Sequence, residues 1–115
     1  MKMMLIGLDE ARMIKDGCDV ANFWEQIDAL FLKQKWTKEP QTDGNVLYVG
    51  NPESDNLLAE LFIACKSLSQ SEAFAKYVTK WLEYDNDDDE SLPFAEDDFL
   101  ASERSYNPIF MKGEI

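Results

Sequence analysis

The apolar positions along the chain divide it into helical stretches separated by polar breaks. The strongest period lies between Val20 and Lys35, where Val20, Phe23, Trp24, Ile27, Leu30 and Phe31 fall within one arc of a helical wheel. Glu25, Gln26, Ala29 and Lys33 occupy the opposite arc, the division expected of an amphipathic surface helix. Asp19 stands where an N-cap acceptor is needed. Upstream, Leu8 to Asp16 reads as a short helix closed by Gly17. The first residues fit a strand as well, and periodicity does not decide between the two.

Beyond Trp36, the polar stretch Thr37 to Asn45, with Pro40 and Gly44, reads as a loop. Val46-Leu47-Tyr48-Val49 is a short β-like run bounded by Gly44 and Gly50, with Met3–Leu8 or Ile109–Lys112 as candidate partners. Asn51 to Asp55 makes a turn into a helix from Asn56 to Leu68, with Leu57, Leu58, Leu61, Cys65 and Leu68 along one side. Ser69-Gln70-Ser71-Glu72 has the spacing of a capping box. It predicts a further helix to Tyr84 that buries Phe74, Val78, Trp81 and Leu82. Asp85 to Glu90 interrupts regular structure, because like charges at that density repel. Phe94 to Glu103 suggests one more short helix with Phe94, Phe99 and Leu100 inward, and residues 105–115 an extended tail. No internal repeat is present. The pattern predicts a mostly α fold for the single domain 1–115. It is a compact bundle of four to five helices with at most one short strand pair near 46–49.

Composition changes this picture little, but charge changes it more. With 45% hydrophobic and 12% aromatic residues the chain can build a core. Its net charge is −12, and eleven of the 23 acidic residues lie after Leu82, where Arg104 and Lys112 are the basic ones. An ordinary surface intersperses the two signs. Such a balance disfavours nucleic acid and anionic membrane as direct partners. Two cysteines, Cys18 and Cys65, are too few for a disulfide framework. The apolar run at the N-terminus stops at Asp9, too short for a signal peptide, and no window suits a spanning helix. A cytoplasmic, reduced protein is expected.

The chemistry-bearing motifs are mostly missing. The chain has no histidine, the commonest general base and metal ligand. It has no Gly-rich phosphate loop, CxxC pair or G-x-S-x-G elbow. Paired carboxylates can run glycosidase chemistry, yet the acids here cluster where water screens them. The expectation is a protein that is not an enzyme and carries no cofactor.

The acidic run admits three readings. It can be a solvated loop that serves solubility. It can be a calcium loop: counting from Asp85, carboxylates recur at Asp87, Asp89 and Glu96, positions 3, 5 and 12 of an EF-hand, with Leu92 at 8. Against that, Glu90 stands where the loop needs glycine, Pro93 occupies position 9, and there is no second copy. It can also be a protein-binding surface, complementary to a basic cleft and steering encounter at long range. On this third reading Glu83, Tyr84, Asp85, Asp87, Asp88, Asp89, Glu90, Glu96, Asp97 and Asp98 form the binding site and no metal is held. Tyr84, Phe94 and Tyr106 would supply aromatic anchors. Trp24 and Trp81 read as core, while Trp36, at a helix end, is left open.

A compact, acidic, mostly helical domain with Glu83–Glu90 and Glu96–Asp98 as anionic patches resembles the small immunity proteins of bacterial toxin systems. These include the contact-dependent growth inhibition and colicin immunity proteins. The resemblance is one of type, size and charge. It implies tight binding of a cognate toxin domain, often a nuclease, at its substrate site or a neighbouring exosite. Acidic inhibitors that mimic nucleic acid, such as phage anti-CRISPR proteins, share the same features.

Overall fold

Lys2–Leu8 forms β1, the central strand of a five-stranded antiparallel sheet, in a computed structural model that describes residues 1–87 and 89–111. The remaining elements, in chain order, are helix α1 (Glu10–Lys15), α2 (Val20–Leu32), strands β2 (Thr37–Pro40) and β3 (Val46–Val49), α3 (Leu57–Ser69), α4 (Glu72–Tyr77), strands β4 (Val78–Asp85) and β5 (Ala95–Asp98), α5 (Phe99–Tyr106) and α6 (Pro108–Met111). Strand order across the sheet is β2-β3-β1-β4-β5. The fold is therefore α+β, and the expected helical bundle with one short strand pair is corrected. Between the two candidate partners for Val46–Val49, the chain uses β1, with Met4 opposite Tyr48 and Ile6 opposite Val46.

Helices cover one face of the sheet. Met4, Ile6, Val46, Tyr48 and Trp81 point into that inner face and meet Ile27 and Phe31 of α2, Leu61 and Ala64 of α3, Phe74 of α4, Leu100 of α5 and Phe110 of α6. Trp81 is fully buried, stacked on Phe110 at 5.8 Å and edge-on to Phe74 at 5.2 Å. Phe31 stacks on Tyr48 at 4.3 Å, and the Tyr48 hydroxyl donates to Asp28 Oδ1 at 2.6 Å. Trp36 is also core: it lies against Phe31, and its indole N–H donates to Glu60 Oε1 at 2.9 Å.

The main departure from the sequence reading is at Val78. Helix α4 stops at Tyr77, Val78 adopts extended angles, and the chain continues as an eight-residue strand beside β1. A register shift opposite Gly7 and Leu8 lets both Val78 and Trp81 face inward although they are three apart. A bulge thus reproduces the spacing of a helical face. The cap of α4 differs too: Ser71 Oγ accepts from the Phe74 amide at 3.1 Å, while Ser69 Oγ donates back to the Lys66 carbonyl.

The helix expected from Phe94 starts only at Phe99, because Ala95–Asp98 is taken up as β5 against β4. Phe94, expected to face inward, is exposed. Thr37–Pro40, expected as loop, is the opposite edge strand. Ser105 and Tyr106 complete α5 and Pro108–Met111 is helical, where extended chain was expected. Lys112 to Ile115 lie outside the described residues. No helix among the described residues is long and apolar enough to cross a membrane.

Candidate functional site

The acidic residues singled out in the sequence lie on and around one hairpin. Its arms are β4 and β5, registered with Tyr84 opposite Glu96 and Glu83 opposite Asp97. Because strand side chains alternate between faces, the hairpin divides its carboxylates. Glu83 shares the inner, helix-covered side with Met4, its partner on β1, while Tyr84 lies on the outer side opposite Met3. Glu96 and Asp98 pair with Tyr84 and Leu82 and so border the outer face. Asp87, Asp89 and Glu90 occupy the exposed connecting loop. Asp88 lies outside the described residues.

Several of these carboxylates already have structural work. Asp85 binds the Lys2 ammonium across the β1–β4 pair, and its Oδ1 accepts from the Asp87 amide at 2.9 Å. Partial burial pushes the Asp85 carboxyl up, but the Lys2 contact and the Asp87 N–H outweigh it and hold the group below its usual range. Asp87 takes a left-handed backbone, φ 54°, which short polar residues tolerate at a turn. Asp89 accepts from both the hydroxyl and the amide of Ser91, which keep its carboxyl low. Asp98 caps α5 by accepting from the Ala101 amide at 3.0 Å. Glu83 differs. It accepts no hydrogen bond among the described residues, and burial pushes its carboxyl up.

The calcium reading is not met by this arrangement. The loop joins two strands rather than two helices, Asp85 faces Lys2, Asp89 turns to Ser91, and Glu96 sits in β5. Among the described residues, no group of three cysteine, aspartate or glutamate side chains is placed to hold a metal ion.

Sequence periodicity missed the apolar strip beside the hairpin. Met3 and Leu5 of β1, Leu47 and Val49 of β3, and Leu82 and Tyr84 of β4 lie together on the outer face, each half-buried and none part of the core. Val46–Val49 is apolar at all four positions, so a second apolar face could be read there, although its burial alternates. The same holds in β1, where Met3 to Ile6 is an unbroken apolar run consistent with a strand apolar on both faces. Glu96 and Asp98 border the strip on the β5 side, and Thr37 and Glu39, opposite Val49 and Leu47, border it on the β2 side. Burial first, then the neighbouring Glu96 carboxylate, pushes the Tyr84 phenol above its ordinary range. Tyr84 is thus a neutral, amphipathic side chain at the border between apolar strip and acidic edge. Phe94, another expected anchor, is exposed in the connecting loop, and Tyr106 lies on α5, on the helix side.

The chain matches no protein-family model, no curated protein and no solved structure.

Proposed function

We propose that this protein is a non-enzymatic binding module that holds a positively charged protein against the outer sheet face and the acidic hairpin. The observation that carries the reading is the position of Tyr84, in a half-buried apolar strip outside the core, bordered by Glu96 and Asp98. An apolar centre with a charged rim is the usual anatomy of a protein interface. Aromatic anchors at its centre contribute most of the residence time, and rim charge sets encounter rate and specificity. The partner class that fits is a toxin domain whose basic substrate cleft the acidic rim complements, as the resemblance to bacterial immunity proteins in size and charge suggests.

The test captures the partner from the source cell and measures its kinetics against three forms of the protein. Asp87→Asn with Asp89→Asn should slow association several-fold and flatten its salt dependence, because steering is the screened component. Tyr84→Ala should instead speed dissociation. Expressed alone, the partner should arrest growth, and co-expression should restore it. Unchanged rates with both variants would remove the surface from the reading, and a harmless partner would remove the toxin.

A further inference from the structure

The opposite, inner side of β4 carries a second feature that the outer face does not explain. A groove of about 410 Å³ runs between α3 and α5, with Glu83 in its wall. Leu61, Cys65 and Phe99 line it along with Leu58, Phe62 and Tyr106. The last three are large side chains left 65%, 71% and 65% exposed. Leu58 and Phe62 are one helical turn apart and make a continuous apolar stripe along α3. Single exposed apolar residues are ordinary, but a cluster that lines one concavity marks an interaction site.

Charge and length identify the occupant. Glu83 and Glu103 both open on the groove, with Lys66 as the one cation among the described residues of its lining. Glu103 is held by Tyr106 and Asn107, whereas Glu83 has no hydrogen-bond donor among the described residues. Lys2, which acts on Glu83 from a distance, is already bound to Asp85. A carboxylate in an aromatic-lined groove favours a cation that uses both the charge and the ring faces of Phe62, Phe99 and Tyr106. From Leu58 to Ser69 the lining follows α3 for roughly 16 Å at the helical rise, about three turns. That is the reach of a helix rather than of a compact small molecule.

We propose that this groove is a second docking site, taking an amphipathic helical segment of a partner protein that directs a lysine or arginine onto Glu83 and Glu103. Its apolar stripe covers Leu58, Phe62 and Tyr106, in the helix-in-groove mode of recognition. The inference does not depend on the outer face being an interface.

The probe is a displayed library of random peptides of roughly 11 residues, the span of the groove at the helical rise. It is selected on the full chain and counter-selected on Phe62→Asp. Enriched peptides should combine apolar residues three or four apart with a Lys or Arg. They should lose about tenfold in affinity on Glu83→Gln and on Phe62→Ala. Urea midpoints of both variants would confirm that they fold, and Phe62 is exposed enough to be replaced without opening the core. Tyr84→Ala should bind the peptides as the parent does. Failure to enrich any sequence that the counter-selection removes would overturn the proposal. So would peptides that depend on Tyr84 and ignore Phe62, a result that leaves the outer-face reading standing. Saturation by arginine amide alone, as tight as by peptide and with the same amide shifts in α3 and α5, would also overturn it by making this a small-cation site.

Discussion

Glu83 shows how one residue can carry information that sequence counting cannot. It stands in a run of acids and looks like any of them, yet strand alternation turns it toward Met4 and Cys65 while Tyr84 beside it faces out. Burial raises its carboxyl pKa above the ordinary value of 4.5, with Asp85 and Asp97 adding to the rise and Lys2 opposing it. The folded state therefore binds this proton more tightly than the unfolded chain does. Its contribution is fully favourable below the unfolded pKa and is lost as pH rises through the folded one. Glu83→Gln should accordingly be more stable than the parent at pH 7 in urea denaturation, and the gain should disappear toward pH 4. An equal gain at both pH values would mean that packing, not ionisation, is responsible.

Elements were legible where the period was uninterrupted and opaque where the sheet changed it. Helix α2 carries its six apolar positions on one arc and is found at Val20–Leu32, with Asp19 accepting from the Asn22 amide as its N-cap. Helix α3 is likewise found where Leu57, Leu61, Cys65 and Leu68 recur, although Leu58, read on the same side, is exposed. By contrast β4 was read as helix, because its bulge spaces Val78 and Trp81 three apart. Strand pairing with β1, remote in sequence, overrides a local pattern of that kind. The β-branched and aromatic residues Val78, Thr79, Trp81 and Tyr84 were the signal that weighed too little. The true start of α4 is testable in the same way. Ser71→Ala should cost about 1 kcal/mol, since it removes the acceptor for the Phe74 amide. Ser69→Ala, which the capping-box reading made the costly change, should stay within about 0.5 kcal/mol. Reversal of the two costs would restore Ser69 as the cap.

At the scale of the whole molecule the acidic hairpin also protects a sheet edge, because the sheet is open at β2 and β5. Edge strands offer unpaired amides and carbonyls to other chains, and proteins defend them with charge, proline or short length. Edge strand β2 is exposed throughout and ends in Pro40, and β5 is four residues long, three of them acidic. The concentration of charge in the last third of the chain was legible in the sequence. Its place on a sheet edge was not, because an edge exists only once β1, β3 and β4 have paired. Replacing Glu96 and Asp97 with threonine keeps strand propensity and removes the repulsion. Asp98 must be spared, since it caps α5. The double variant should fold with a similar urea midpoint yet shift to higher mass with concentration in sedimentation velocity. The parent should move the same way, more weakly, as ionic strength approaches ~1 M and the screening length falls to ~3 Å. A variant that sediments like the parent at every concentration and salt would mean that length alone guards β5. The charge of Glu96 and Asp97 would then have no part in guarding the edge.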